Sequence, residues 1–208
     1  MDTEQALIYC KNNNIKGCYV ECGVAAGRHP RIACNTILHN NLEKCNIYMY
    51  DTYEGLTKPG KYDYSTKDPL HHYSNKQIMD EWHSLQTGPN RANWCACPLE
   101  AVKKYVYATN YPRDKLFFIK GDVMETLKDE TTLPKEKIAI LRLDTDWYES
   151  SKYELEQLYH RVVDGGVIIL DDYFQWDGQR RATDEFLKEK NIKKIINRNN
   201  RQTGWFIK

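Results

Sequence analysis

The sequence predicts a three-layer α/β sandwich, with helices on both faces of a mostly parallel sheet. Two observations carry this. Short apolar runs, β-branched or aromatic and continuous rather than alternating, recur at Cys18–Cys22, Ile47–Tyr50, Leu116–Ile119, Ile138–Leu143 and Val167–Leu170. Strands buried on both faces need that pattern. Amphipathic stretches separate the runs, and alternating strands and helices stack as three layers.

The elements follow in chain order. Tyr19-Val-Glu-Cys-Gly-Val-Ala-Ala-Gly27 reads as a strand, an acid at its end and a glycine-bearing turn into a helix. From Tyr53 to about Asn93 the rhythm breaks, with prolines, glycines, histidines and aromatics but no clear strand. A stretch this long is read as a lid-like insertion over the active face, with a helix of its own around Asn75–Leu85. Pro98 opens a further helix whose Ala101, Val102, Tyr105 and Val106 share one face. Ser151-Lys-Tyr-Glu154 reads as a capping box, followed at helical spacing by Leu155, Leu158, Tyr159, Val162 and Val163. Asp164-Gly165-Gly166 then ends that helix and starts the next strand. Lys194–Asn197 and Trp205–Ile207, joined by a polar turn, form a closing hairpin. Residues 1–208 are expected to form one domain carrying the insertion at about 53–93.

Composition narrows the function classes. With 30 Lys+Arg against 29 Asp+Glu, the chain lacks the basic excess of a general nucleic-acid binder. Its 41% hydrophobic and 28% charged residues exclude a disordered chain. No apolar stretch is long enough for a membrane span, and the polar N-terminus does not read as a signal peptide. The seven cysteines (Cys10, Cys18, Cys22, Cys34, Cys45, Cys95 and Cys97) are an odd number without a C-x-x-C pair. They give neither a complete disulfide framework nor paired zinc spacing, so a reducing cytoplasm is the expected compartment.

The chemistry concentrates at strand ends. Gly23 and Gly27 are spaced G-x-x-x-G rather than as the three-glycine dinucleotide fingerprint. Glu21 at the end of that strand suits a ligand bearing an ammonium group. Asp51, ending the next strand, stands where ribose hydroxyls are held in such sheets, and Gly121-Asp122 adds a third polar group at a strand terminus. A tight structural turn is the plain alternative for each. Two acidic pairs are sharper: Asp144 and Asp146 follow one strand, and Asp171 and Asp172 follow the next. Converging carboxylates repel unless a cation joins them, and a hard divalent ion accepts oxygen ligands. The competing reading is helix capping, to which Asp146 is assigned most readily.

At these residues the chain resembles the macrocin O-methyltransferase family. The resemblance rests on Glu21-Cys-Gly23, on Tyr50-Asp-Thr-Tyr-Glu-Gly55, on Leu141-Arg-Leu-Asp-Thr-Asp-Trp-Tyr-Glu-Ser150 and on Leu170-Asp-Asp-Tyr-Phe-Gln-Trp-Asp-Gly178. It implies a Rossmann-like methyltransferase sandwich: a mostly parallel seven-stranded sheet closed by a C-terminal antiparallel hairpin. It also implies dependence on S-adenosylmethionine and Mg²⁺, with a sugar or glycosylated metabolite as hydroxyl acceptor. The metal ligands it implies are Asp144, Asp171 and Asp172. The cofactor residues expected are Glu21, Gly23, Gly27, Asp51, Gly121, Asp122 and Val123. Typical members carry a longer N-terminal extension, and the Tyr53–Asn93 insertion departs from their pattern. Both regions shape substrate pockets, so acceptor specificity does not carry over.

The expected reaction is metal-assisted methyl transfer, with Asp144 the first candidate for general base and His71, His72 or His83 of the insertion the second. Trp147, Tyr148 and Trp176 are either acceptor walls or core, and Arg180 and Arg181 either meet an anionic acceptor or cover a helix. A nicotinamide-dependent oxidoreductase and a non-catalytic cofactor-binding module are the alternatives. No nucleic-acid or membrane partner is expected. A second subunit would complete both the insertion and the short N-terminal segment, which makes a homodimer the expected assembly.

Overall fold

A computed structural model describes residues 1–66 and 72–208. The strands are β1 (Cys18–Cys22), β2 (Ile47–Asp51), β3 (Gln86–Gly88), β4 (Arg91–Ala92), β5 (Leu116–Lys120), β6 (Ile138–Leu143), β7 (Val162–Leu170), β8 (Asn197–Arg198) and β9 (Gly204–Ile207). The α-helices are α1 (Thr3–Asn12), α2 (Arg28–His39), α3 (Asn75–Ser84), α4 (Leu99–Tyr107), α5 (Val123–Thr126), α6 (Tyr148–Leu158) and α7 (Asp177–Glu189). Seven strands form one sheet in the order β5-β2-β1-β6-β7-β9-β8. β5 through β7 run parallel, and β9 and β8 are antiparallel.

Two apolar layers sandwich the sheet. On one face Ala6, Leu7, Ala33, Ile37, Val102 and Val106 from α1, α2 and α4 pack on Tyr19, Met49, Ile140 and Ile169. On the other, Val123, Leu155, Leu158 and Phe186 from α5, α6 and α7 pack on Val20, Tyr50, Leu141 and Ile168. Consecutive strand residues thus feed opposite cores, which is why the runs are apolar throughout.

The strand order reverses between β1 and β6, since β2 lies on the other side of β1. At such a switch point the two strand ends diverge and leave a crevice at their carboxyl edge. The ends stay close there. Gly23 has φ +84°, and a Cβ on it would stand 1.9 Å from the Asp144 carbonyl oxygen. Only glycine meets both conditions.

The structure corrects three expectations. α6 begins at Tyr148, so Ser151 and Glu154 lie inside the helix, fully buried, and form no capping box. The cap comes from the insertion instead: Asp63 Oδ1 accepts the Tyr148 N–H at 2.8 Å. Val162 and Val163 belong to β7, and Asp164-Gly165-Gly166 lies within that strand rather than before it. The β6–β7 register passes from Ile138↔Val162 to Ile140↔Val167, a bulge in which Gly165 takes φ +81°. The closing hairpin forms, but its first strand is only Asn197–Arg198, one step beyond the expected run.

The insertion holds α3 as expected, begun by a capping box between Ser74 and Gln77. It also holds the small β3–β4 hairpin, where no strand was expected. Ile78, Trp147 and Trp176 form a separate apolar cluster with Leu56, Tyr64 and Trp94 packed against it. Gly23→Ala is expected to cost about 2–4 kcal/mol in urea unfolding, from left-handed strain plus overlap with the Asp144 carbonyl. Gly88→Ala, whose Cβ meets nothing nearer than 3.8 Å, is expected to change stability by less than about 0.5 kcal/mol.

Candidate active site

Parallel pairing of β6 and β7 aligns Leu143 with Leu170, so the acids that follow each strand emerge side by side. One carboxylate oxygen from each of Asp144, Asp171 and Asp172 lies within 4.8 Å of the others. None of the four acids caps a helix: the N-cap positions of α6 and α7 are Trp147 and Trp176, neither of which caps with its own side chain. Asp146 instead accepts the Trp176 indole N–H at 2.8 Å and sits at φ +66°.

Arg142 underlies this cluster. It is buried in β6, a guanidinium within an apolar strand. Its Nη2 donates to Asp144 Oδ2 at 3.0 Å and to Asp171 Oδ1 at 2.5 Å. Its Nε lies 3.6 Å from Glu21 Oε1 on the neighbouring strand, where the two residues are register partners. Thr203, just before β9, adds its hydroxyl to Asp171 Oδ1 at 3.0 Å. Gln179 of α7 ties the two strand ends, accepting the Asp172 N–H at 2.8 Å and donating to the Leu143 carbonyl at 3.2 Å.

The acids are not equivalent. Burial alone would raise the Asp171 carboxyl, but Arg142 and the hydrogen bonds from Arg142 and Thr203 outweigh it and hold it below its usual range. Asp172 is pushed well up by burial and then by Asp146, Asp171 and Asp144. Its Oδ2 is buried and has no hydrogen-bond partner among the described residues. An orphaned carboxylate oxygen facing two other acids is the donor set a hard divalent cation fits.

Beside the cluster is a cavity of about 60 Å³. Gly23, Asp51, Gly121, Asp122, Val123 and Asp144 line it, which brings six of the sequence-predicted residues together. Asp144 alone belongs to both the acid cluster and the cavity wall. Asp51 braces the turn after β1: its Oδ2 accepts the Val24 and Ala25 N–H groups at 2.6 and 2.9 Å, and its Oδ1 accepts that of Tyr53 at 2.6 Å. Asp122 caps α5 through the Met124 N–H at 3.0 Å.

Two predicted residues lie elsewhere. Glu21 is buried and does not line the cavity; it accepts the Tyr19 hydroxyl at 2.7 Å and faces Arg142. Gly27 starts α2, and a Cβ there would stand 2.9 Å from Val102 of α4, so its glycine serves helix packing. His72 and His83 are exposed and outside the cavity wall, and His71 lies outside the described residues. Trp147 and Trp176 are buried core, donating to the Thr57 carbonyl and to Asp146. Arg180 pairs with Asp177, and Arg181 lies over the Tyr62 ring and pairs with Glu185. A larger cavity, about 570 Å³, opens at the opposite edge of the sheet, where Gly17, Asn46, Lys115 and Glu136 precede their strands. None of the predicted site residues lines it.

Sequence pattern alone does not assign roles to Arg142, Thr145, Ser150, Gln179 and Thr203. Arg142 left a signal, a lone cation in the run Ile138–Leu143 directly before two acids. The others are ordinary polar residues whose roles come only from packing. All seven cysteines are free, and no helix among the described residues is long and apolar enough to cross a membrane.

The family model described as Macrocin-O-methyltransferase (TylF) matches residues 1–208. Demethyldecarbamoylnovobiocin O-methyltransferase of Streptomyces niveus is 26% identical over 176 residues, 84% of this chain and 59% of that protein. The 8-demethyl-8-(2,3-dimethoxy-alpha-L-rhamnosyl)-tetracenomycin-C 4'-O-methyltransferase of Streptomyces olivaceus is 25% identical over 171 residues, 80% of this chain and 58% of that one. The matched region thus spans less than two thirds of either relative. The solved structure of the O-methyltransferase NovP superimposes with a TM-score of 0.79 at 22% identity, over 99% of this chain and 77% of that chain. That likeness is one of fold, and it matches the sandwich with its seven-stranded sheet.

Buried acids set a pH dependence of stability. Burial pushes Glu21 and Glu154 up to about 8 and Asp63 up to about 6. Each holds a proton in the folded chain that it has lost in the unfolded one, so stability falls as pH rises from about 4.5 to 8. Asp171, with its lowered carboxyl, acts in the other sense: its contribution is present above the unfolded value near 4 and is lost only as pH falls below it. Calorimetry of chelator-treated protein should therefore show a melting midpoint several degrees lower at pH 8.5 than at pH 5.5. A midpoint that rises over this range would contradict the assignment.

Proposed function

The chain belongs to the macrocin-O-methyltransferase (TylF) family, and from that premise we propose that it moves a methyl group from S-adenosylmethionine to a hydroxyl of a small acceptor, a sugar or glycosylated metabolite, with Mg²⁺ held at the acid cluster. One observation carries the reading. Asp144 stands both in the three-acid cluster and in the wall of the cavity that Gly23, Asp51 and Asp122 share. Methyl donor and acceptor oxygen must meet at such a junction.

The chain's own groups have distinct tasks in this reading. Asp144, Asp171 and Asp172 would hold the ion, and Arg142 keeps the first two aligned. Bound there, Mg²⁺ would supply Lewis-acid polarisation that lowers the pKa of the acceptor hydroxyl. Asp144 is placed to take the proton that the hydroxyl gives up. In the metal-free chain burial, opposed by Arg142 and reinforced by Asp171 and Asp146, raises its carboxyl. The Gly23 turn lets backbone approach the donor closely, and Asp51 keeps that turn in shape through the Val24 and Ala25 amides.

The insertion acts as a lid. The cavity measures about 60 Å³, whereas pockets that enclose a cofactor-sized molecule run from roughly 300 to 1,000 Å³. Gly55, Leu56 and Thr57 of the insertion, with Trp94 and Cys95 just after it, form part of its wall. In this reading the segment moves outward to admit the donor. Family membership sets the nicotinamide oxidoreductase aside, and the presence of every implied acid speaks against a non-catalytic module.

Asp172→Asn is expected to lower Mg²⁺-stimulated methyl transfer to a glycosylated acceptor about 100-fold or more. Its affinity for S-adenosylmethionine by calorimetry should stay within roughly threefold of wild type, because Asp172 does not line the cavity. Wild-type turnover unaffected by chelation and Mg²⁺ would remove the metal from the reading. Binding of NAD in place of S-adenosylmethionine would remove the reading itself.

A further inference from the structure

Where the parallel strands begin, the cavity of about 570 Å³ has a chemistry of its own. α1 and α2 end there, and the chain turns towards β1 and β2 through Asn14 at φ +54° and Asn41 at φ +49°. Between these two helix ends the apolar layer reaches the surface. Leu7, Cys10, Tyr19, Ile37, Ala139 and Ile140 belong to the core under α1 and α2, and the same residues line the cavity. Protein interiors hold few voids larger than a water molecule. An aliphatic wall beside so large a space forgoes contacts that an apolar occupant would supply. The volume lies within the range of roughly 300 to 1,000 Å³ in which small ligands are held.

The rim is polar and its charges do not balance. Lys11, Lys16, Lys44 and Lys115 line it against Glu43 and Glu136. Lys16 and Glu43 pair with each other at 3.2 Å, and Glu136 accepts the Tyr48 hydroxyl at 3.2 Å. Lys11 stands in the last turn of α1, where a cation complements the helix end. Lys44 and Lys115 have no such account. Neither side chain has a partner among the described residues. Ile47 of β2 is the register partner of Leu116 of β5, so Lys115 comes level with Asn46, two residues from Lys44. Tyr19, the single aromatic residue in the lining, is buried with its hydroxyl held by Glu21, which leaves no open ring for a nucleobase to stack on.

We propose that this cavity is a second binding site, for a small anionic amphiphile: a free monocarboxylate whose aliphatic body lies on Leu7, Ile37 and Ile140 and whose head meets Lys44 and Lys115. The site is separate from the one beside the acids, since the two cavities share no lining residue.

Calorimetric titration of decanoate into the full chain tests this. Saturable one-to-one binding is expected, with a Kd of about 100 µM or tighter. Decyltrimethylammonium, with the same chain and the opposite charge, should bind at least roughly tenfold more weakly. Alkylation by iodoacetamide locates the probe. Decanoate at tenfold its Kd should slow modification of Cys45, which lines the cavity, at least roughly fivefold. Cys97, half-buried outside both cavities, should react at an unchanged rate. Combined Lys44→Glu and Lys115→Glu should weaken decanoate at least roughly tenfold. Leu42→Trp, which puts bulk into the cavity from a half-buried lining position, should abolish binding. If that variant does not fold, the lysine variant decides alone. Absence of saturable decanoate binding, equal affinity for the cationic probe, or unchanged affinity in the folded lysine variant overturns the proposal. So does protection of Cys45 that rises with protein concentration without decanoate, which would give this face to a second copy of the chain. None of these outcomes bears on the methyl-donor reading.

Discussion

A single buried guanidinium holds the carboxyl edge of this sheet together. Arg142 reaches Glu21 on one neighbouring strand, Asp171 beyond the other, and Asp144 two residues further along its own chain. A charge in a sheet core is costly to desolvate, and only well-placed opposite charges offset the cost. Those partners exist because of register. Glu21 lies beside Arg142, and Leu143 beside Leu170. A slip of one residue would turn Arg142 into the opposite apolar layer and separate the acids. The ion pairs therefore select the register that the apolar runs by themselves leave loosely specified.

Most of the sheet was legible because its evidence is local. A strand buried on both faces shows itself as a continuous apolar run, and four of the five runs match their strands to within a residue. The acids at 144, 171 and 172 were legible for a related reason, since strand ends can be placed once strands can. The start of α6 was not, because its cap is a carboxylate 85 residues earlier in the chain. Ser151 and Glu154 have the spacing of a capping box, but spacing does not reveal that both are buried. The bulge in β7 was equally hidden: Asp-Gly-Gly is an ordinary helix stop, and pairing with β6 on either side of it and the bonds between Gly165, Gly166 and Lys208 keep it within a strand. Glu21 shows the limit most clearly. An acid after an apolar strand reads as a ligand contact, yet its partners here are Tyr19 and Arg142.

The insertion is fixed by a different device. Outside α3 and the β3–β4 hairpin, the backbone of its described residues is held by side chains that reach across. Trp82 donates to the Leu56 carbonyl and Trp147 to that of Thr57, which anchors the segment lining the cavity from two directions. Asp63 joins it to the first turn of α6, and Asp177 at the start of α7 accepts both the amide and the hydroxyl of Thr66. Trp82 and Trp147 thus anchor the start of the insertion. Outward motion of Leu56 and Thr57 would break the two indole bonds while leaving the carboxylate anchors in place. In the proposed lid motion, opening would then be a local hinge and not a release of the whole insertion.

The charge balance at the site makes sense only with these neighbours included. Across the chain basic and acidic residues nearly cancel, 30 against 29, but the cancellation does not hold locally. Burial keeps Glu21 and Glu154 largely protonated near neutral pH, so neither adds a full charge to the edge. If a cation draws Asp144, Asp171 and Asp172 into their ionised forms, these three face one guanidinium and leave two negative charges in excess, with Asp146, held up to about 7 by burial, beside them. Arg142 cannot quench them alone, and its contacts are to Asp144 and Asp171, not to Asp172. The excess equals the charge of the divalent ion proposed above, and the acid that Arg142 leaves unpaired is the one whose buried oxygen lacks a partner. A second arginine in place of that ion would neutralise only half the excess. It would also fill the space in which, in the proposed reaction, an acceptor oxygen comes within reach of Asp144.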